Sequence, residues 1–172
     1  MIDPSLSEAI KAVASLQGAF RLRSGQTSST YFDKYRFEAD PALLRRVAAK
    51  MISLLPEGSE VLAGLELGGV PIATALSLQT GLPVVFVRKK AKDYGTCRAV
   101  EGGDIVGKHV VLVEDVVTTG GAVSDAAHLV EKAGAKVIGV VCAIWRGDGP
   151  PRIAAIPGLP VFAAMQKGDL LD

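Results

Sequence analysis

The chain of 172 residues has little cysteine, almost no net charge and no long apolar run. Its two cysteines, Cys97 and Cys142, lack the spacing of metal ligands, and a disulfide framework would be unusual in a chain of this kind. We therefore expect a reduced, cytoplasmic setting. The formal net charge of +1 gives no overall basic field that would hold a polyanion, so we expect no nucleic-acid partner.

The apolar runs are too short for a membrane protein. The longest, residues 137–145, falls far below the length that crosses a bilayer. The first five residues lack the basic start and apolar core of a signal peptide. We therefore expect neither a membrane span nor a membrane partner.

The remaining composition is that of a globular enzyme, with 49% hydrophobic and 22% charged residues. The length fits a single domain over residues 1–172 that buries its own core. From residue 61 onward, short continuously apolar stretches alternate with helical periodicity. They predict strands at 61–65, 84–87, 110–113, 137–144 and 159–164, helices at 70–79 and 122–132, and a terminal turn from residue 169. This alternation is typical of an α/β fold whose parallel sheet is covered by helices on both faces.

The first forty residues do not follow that alternation. Helical spacing covers residues 5–16, and an extended piece from Phe20, a turn at Ser24–Gly25 and a second extended piece at 30–37 come next. Asp40 and Pro41 then predict the start of a helix that runs to about residue 55. We expect a small hood, about residues 1–40, above a core of about residues 41–172.

A basic connection follows the strand predicted at 84–87. Residues 88–98 carry five cations, and the whole connection to residue 107 is too long for an ordinary loop inside a domain. Because ligands of open parallel sheets bind beyond the carboxyl ends of the strands, we predict that this connection is a lid. A solvated basic loop is the alternative.

A second loop predicts a phosphate site. Glu114 and Asp115 follow the apolar residues 110–113, and residues 118–121 read Thr-Thr-Gly-Gly before the next helix. Glycine backbone and a helix N-terminus bind an anion, whereas two carboxylates suit the hydroxyls of an attached sugar. The pattern therefore predicts a cradle for ribose 5-phosphate; an ordinary strand-to-helix turn is the alternative. Residues 102–109 match most of the sequence pattern of a nucleoside-triphosphate-binding loop. A strand rather than a helix is predicted after them, however, and His109 cannot supply the hydroxyl that binds Mg²⁺ in such loops.

These motifs resemble those of a known family. Residues 110–123 are similar to the PRPP (5-phosphoribosyl 1-diphosphate) signature of type I phosphoribosyltransferases. Three further stretches, 20–33, 64–73 and 88–102, resemble the substrate motif, glycine loop and mobile loop of the orotate phosphoribosyltransferases in that family. The resemblance extends in order over roughly residues 18–147. It implies a type I phosphoribosyltransferase-like core and transfer of ribose 5-phosphate from PRPP to orotate, with Mg²⁺ brought by PRPP and no protein metal ligand assigned.

The resemblance also implies site residues. Lys92, Glu114 and Asp115 would be catalytic, with Lys92 acting across a homodimer in the partner's site. PRPP would be bound by Arg88, Lys89, Glu114, Asp115, Val116, Val117, Thr118, Thr119, Gly120, Gly121 and Ala122. Orotate would be bound by Arg23, Tyr31, Phe32, Thr118 and Arg146. The cations would stabilise the charge that develops on the departing pyrophosphate.

The sequence departs from the family pattern in a few places. Gly68 stands where some members have a lysine that binds PRPP, and Gly121 and Ala122 stand where hydroxyl residues are common. Tyr94 and Cys97 are departures in the lid, and residues 147–151 differ from the usual continuation after Arg146. Two other functions stay open at this point: a phosphoribosyltransferase for another base, and a PRPP-sensing regulator on the same fold.

Overall fold

The computed structural model describes residues 5–22, 25–90 and 98–170. A six-stranded sheet, in the order β5-β4-β3-β6-β7-β8, forms its centre, and β1 and β2 form a separate hairpin. The strands are β1 (Ser15–Arg21), β2 (Thr27–Phe32), β3 (Val61–Leu65), β4 (Val84–Val87), β5 (Val100–Glu101), β6 (His109–Val117), β7 (Lys136–Trp145) and β8 (Val161–Gln166). The helices are α1 (Leu6–Ala14), α2 (Tyr35–Glu38), α3 (Pro41–Ile52), α4 (Gly69–Thr80) and α5 (Gly121–Lys132), and a 3-10 turn spans Lys167–Asp169.

The predicted parallel sheet is confirmed. Strands β4, β3, β6, β7 and β8 pair in parallel, and the short β5 pairs antiparallel to β4. Every residue of β3 is buried, which explains its continuously apolar sequence. The central position of β6, between β3 and β7, brings its carboxyl end to the middle of the sheet edge.

Helices cover both faces of the sheet, as predicted. On one face, α1, α3 and α4 pack through buried residues such as Ile10, Val47 and Leu76. On the other face, α5 packs through Val123 and Val130. The start of α3 is fixed by Asp40, whose side chain accepts hydrogen bonds from the backbone N–H groups of Ala42 (2.9 Å) and Leu43 (3.0 Å). None of the helices in the described ranges is long and apolar enough to cross a membrane.

The hood differs from its prediction at two points. The first helix ends at Ala14 rather than Leu16, because residues 15–17 pair with residues 30–32 in the hairpin. The extended prediction for residues 30–37 is wrong beyond Phe32, since residues 35–38 form the helical turn α2. The Asp33 side chain accepts a hydrogen bond from the backbone N–H of Tyr35 (3.2 Å), and this turn buries Phe37 completely. The division between hood and core at about residue 40 stays a prediction.

Four predictions for the core are also corrected. The strand predicted at 110–113 extends to Val117, so Glu114 and Asp115 lie within β6 rather than in the loop after it. The predicted unpaired lid contains β5, and the backbone N–H of Arg88 donates a hydrogen bond to Ala99 O (2.8 Å). Helix α3 ends at Ile52, earlier than predicted, and the terminal turn begins at Lys167 instead of residue 169. Lys92, Tyr94 and Cys97 lie outside the described residues.

Candidate active site

The predicted phosphate cradle lies between the end of β6 and the start of α5. Thr118 and Thr119 are exposed, and Gly120 adopts a left-handed backbone with φ of 80°. A Cβ atom at Gly120 would also lie 2.5 Å from Cγ1 of Ile153, so both conformation and space favour glycine there. Gly121 opens the helix next to unfilled space. The loop therefore presents the N-terminal amide groups of a twelve-residue helix to an open site that suits an anion.

Glu114 lies in a cavity beside this cradle. The cavity has a volume of about 270 Å³ and brings the two cations at the end of β4, Arg88 and Lys89, together with Glu114 and Ala122. It is lined by Leu65, Glu66, Val87, Arg88, Lys89, Glu114, Ala122, Asp125, Ala126 and Leu129. The backbone N–H of Lys89 donates a hydrogen bond to Oε1 of Glu66 (2.5 Å), which ties the start of the predicted lid to the loop after β3.

Asp115 is enclosed by protein rather than open to the cavity. Its Oδ1 accepts a hydrogen bond from the backbone N–H of Val116 (2.5 Å), and its Oδ2 lies 2.5 Å from Nζ of Lys34. The side chain of Asp115 is 1% exposed. Gly68 packs directly against this carboxylate, and a Cβ atom there would overlap the carboxyl group. In this arrangement both oxygens of Asp115 are engaged.

Four ionisable groups meet at Asp115. Burial raises the pKa of Glu38 to about 9 and that of Glu114 to about 8, and the neighbouring Asp115 carboxylate reinforces both shifts. Burial alone would raise the pKa of Asp115, but its interactions with Glu114, Lys34 and Glu38 lower it below its usual range. Burial opposes the charge on Lys34, yet the contact with Asp115 raises the pKa of its ammonium overall. In this cluster Asp115 and Lys34 are favoured in their charged forms, whereas Glu38 and Glu114 hold their protons more tightly than free carboxyl groups do.

A second pocket joins the hood to the carboxyl ends of β6 and β7. Its volume is about 310 Å³, and its lining includes Tyr31, Phe32, Thr118 and Arg146, the described members of the predicted orotate set. Tyr31 stacks on Phe20, with ring centroids 5.4 Å apart, so the hairpin presents a fixed aromatic wall. The backbone N–H of Arg146 donates a hydrogen bond to Val117 O (2.8 Å). Asp33, Lys34, Tyr35 and Val116 complete the lining.

Comparisons with known proteins agree with this geometry. The family model of the phosphoribosyl transferase domain matches residues 36–157. The orotate phosphoribosyltransferase of Nocardioides sp. is 54% identical over 169 residues, which cover 98% of this chain and 94% of the relative. That of Halobacterium salinarum is 40% identical over 97% of this chain and 95% of the relative. This chain belongs to the orotate phosphoribosyltransferase family.

Solved structures support the same assignment. The orotate phosphoribosyltransferase of Mycobacterium tuberculosis, in complex with Fe(III) dicitrate, superposes with a TM-score of 0.83 at 30% identity, and the match covers 97% of both chains. The adenine phosphoribosyltransferase of Thermoanaerobacter pseudethanolicus has a TM-score of 0.67 at 20% identity, which shows only a shared fold. The resemblance inferred from the motifs and the predicted fold class are thus confirmed.

In this member of the orotate phosphoribosyltransferase family, most of the residues predicted to bind PRPP or orotate lie in two neighbouring sites. Arg88, Lys89, Glu114 and Ala122 share the first cavity, and Tyr31, Phe32, Val116, Thr118 and Arg146 share the second. Val117, Thr119, Gly120 and Gly121 form the end of β6 and the loop between the two sites. Arg23 and Lys92 lie outside the described residues, so their roles stay predictions.

Sequence reasoning missed Lys34 and Glu38. The two residues stand four positions apart, the spacing that places side chains on one face of a helical turn. The extended segment predicted over 30–37 includes Lys34, and in an extended chain residues four apart lie about 13 Å from each other, so this prediction hides the contact.

Proposed function

We propose that this chain transfers ribose 5-phosphate from PRPP to orotate, giving orotidine 5′-monophosphate and pyrophosphate for pyrimidine nucleotide synthesis. The observation that carries the proposal is the position of Thr118. It lies at the cradle and lines the pocket that holds Arg146, while Glu114, a few residues earlier in the chain, lines the cavity with Arg88 and Lys89. A ribose bound at the end of β6 would therefore have the cavity of Arg88 and Lys89 on one side and the hood pocket on the other.

The residues support a division of labour around PRPP. The N–H groups of residues 119–122 and the threonine hydroxyls are suited to the 5-phosphate, and Glu114 and Asp115 to the ribose hydroxyls. Arg88 and Lys89 face the position where pyrophosphate would leave, and they would stabilise its growing negative charge. A related structure of the Mycobacterium tuberculosis enzyme contains PRPP, and it is 27% identical with a TM-score of 0.78.

Magnesium belongs to the same proposal. Within the described residues no three acidic, histidine or cysteine side chains are grouped as a metal site, so the ion would take most of its ligands from PRPP oxygens and water. The carboxylates Glu66 and Asp125 line the cavity with Arg88 and could hold its water ligands. When bound, the ion would neutralise charge on the diphosphate.

The hood pocket fits a planar, anionic base. Tyr31 and Phe32 provide its aromatic wall, and Arg146 provides a guanidinium group that matches a carboxylate. Arg23 is proposed to bind the base from the hood. A carboxylate forms stronger, charge-assisted hydrogen bonds with this guanidinium than a neutral base does, which favours orotate over uracil or a purine.

Lys92, in the predicted lid, is proposed to enter the active site of the partner subunit in a homodimer. Lys92→Ala should then lower turnover without changing the folding of the chain, and Asp115→Asn should weaken PRPP binding. Because each variant retains the half of the shared site that the other lacks, mixed dimers should recover part of the activity. No recovery on mixing would argue against a shared site.

The setting predicted from the two cysteines is also part of the proposal: the protein is proposed to work in a reduced, cytoplasmic environment.

The decisive experiment supplies PRPP, Mg²⁺ and a panel of bases, and follows the loss of each base together with pyrophosphate release. Orotate should be consumed, and Asp115→Asn should slow that reaction at limiting PRPP. Consumption of a purine but not of orotate would contradict the proposed base and leave the phosphoribosyl transfer intact. Release of pyrophosphate with no base consumed would contradict the transfer itself.

A further inference from the structure

Lys34 belongs to two sites at once. Its side chain is 33% exposed and lines the hood pocket, while its ammonium lies 2.5 Å from Oδ2 of the buried Asp115. It also lies 5.2 Å from the centroid of the Tyr35 ring, another wall of that pocket. The ammonium therefore stands on the border between the pocket proposed for the base and the carboxylate proposed for the ribose.

Lys34 adds a second positive charge to the hood pocket. The described lining contains two cations, Lys34 and Arg146, and one anion, Asp33. The Asp33 carboxylate is occupied by the α2 turn, since its Oδ1 accepts the N–H of Tyr35. Two cationic residues thus line a pocket of about 310 Å³, which suits a base with a carboxylate better than a neutral base.

The contact between Lys34 and Asp115 also competes with the ribose. Both oxygens of Asp115 are engaged, one by the Val116 N–H and one by Lys34. A ribose hydroxyl that donates to Oδ2 must therefore replace or share the place of the ammonium. The partly exposed Lys34 is the partner that is free to move, because Asp115 is held between Gly68 and the β6 backbone. The direction open to its ammonium is the hood pocket, because Lys34 is one of the residues that line it.

We propose that Lys34 is a specificity-determining residue of the base pocket, whose ammonium binds the carboxylate of the incoming base together with Arg146. The inference rests on the function proposed above. In the absence of ligand Asp115 holds the ammonium, and the ribose hydroxyls release it toward the base. Binding of the sugar would thereby strengthen binding of an anionic base.

The test compares two nucleotides that differ by one carboxylate. Orotidine 5′-monophosphate and uridine 5′-monophosphate share ribose, phosphate and ring, so the ratio of their Kd values isolates the carboxylate. Effects on folding or on the ribose site cancel in that ratio. Calorimetric titrations of the full chain with both nucleotides should give a large ratio for the wild type. Lys34→Met should reduce the ratio about tenfold, the effect of losing one charge-assisted hydrogen bond.

Controls separate the possible outcomes. Lys34→Arg should retain most of the ratio, and Lys50→Met, at an exposed position on α3, should leave it unchanged. If Lys34→Met does not fold, Lys34→Gln serves as the neutral variant. Equal weakening of both nucleotides would show that Lys34 only accompanies Asp115, and it would overturn the inference. A wild-type ratio near one would refute the proposed base, and this inference with it.

Discussion

Replacing Gly68 by alanine tests the arrangement around Asp115. Gly68 has φ of −67° and ψ of −29°, so alanine meets no backbone strain. Its methyl group would instead overlap the Asp115 carboxyl group and lie 3.1 Å from Asp115 Cβ. The carboxylate must then move by about one bond length, roughly 1.5 Å. The family lysine that Gly68 replaces would meet the same obstacle.

The size of the effect follows from that movement. The Lys34–Asp115 ion pair would lengthen from 2.5 Å to about 4 Å, a loss of about 2.5 kcal/mol at an effective dielectric constant of about 20. Because the Lys34 side chain is 33% exposed, solvent screening reduces this to about 1–2 kcal/mol. Overpacking adds about 1–2 kcal/mol. We expect the free energy of unfolding to fall by about 2–4 kcal/mol, and PRPP binding to weaken at least about tenfold, because a displacement of this size disturbs the proposed ribose contact.

Urea unfolding and calorimetric titration with PRPP measure both quantities. The matched control is Gly168→Ala, since Gly168 has an ordinary φ and no atom within 4 Å of the added Cβ. This control should change stability by less than about 1 kcal/mol. If Gly68→Ala matched the control in stability and retained wild-type PRPP affinity, the packing of Asp115 against Gly68 would be refuted.

Three further predictions concern the same cluster and the cradle. Because burial raises the pKa of Glu38 from 4.5 to about 9, the folded chain keeps a proton that the unfolded chain releases, so the free energy of unfolding should fall as pH rises from about 5 to 9. The Glu38→Gln variant has a neutral side chain at this position, so its melting temperature should depend less on pH over that range than that of the exposed control variant Glu57→Gln. If the melting temperatures of the two variants changed equally with pH, the burial argument would be contradicted. Gly120→Ala, with φ of 80° and Ile153 in the way, should cost about 3 kcal/mol in urea unfolding, whereas Gly149→Ala, with φ of 68° and open space, should cost only about 1–2 kcal/mol. Equal losses would show that Ile153 yields without cost. Burial and the neighbouring Asp115 raise the pKa of Glu114 to about 8, so this side chain should gain negative charge as pH rises toward 9. The affinity for ribose 5-phosphate, measured by calorimetry, should change over that interval. An affinity that does not vary with pH would count against a role for Glu114 at the ribose.

The sequence predicted the elements whose patterns are governed by burial. The bounds of β3 and β4 agree with prediction residue for residue. Every residue of β3 is buried, and a strand buried between helices must be continuously apolar; in β4 buried and half-buried residues alternate, and all of them are apolar. The end of β6 was placed too early because acidic residues usually leave a buried strand. Glu114 and Asp115 stay inside only because partners from distant segments accompany them.

The site could be predicted where its residues are local in sequence. The cradle, with its glycines next to a helix start, is a contiguous motif and could be recognised. The contact between Lys34 and Asp115 joins the hood to the central strand, and no local pattern contains both residues. The helical turn that begins directly after Lys34 has only four residues, and a tertiary contact of Phe37 with the core stabilises it. Length and periodicity provide no signal for such a short element.

The contact of Gly68 with the Asp115–Lys34 pair has an evolutionary consequence. No side chain fits at position 68 while Asp115 keeps this orientation, and Asp115 keeps it partly through Lys34. In evolution, a lysine fits at position 68 only after the Asp115 carboxylate has moved away from it. Changes at positions 34, 68 and 115 therefore have to occur in a restricted order. Members of the family with lysine at the position of Gly68 should accordingly lack the ammonium at the position of Lys34. A lysine at position 34 and a lysine at position 68 would then not occur in the same protein.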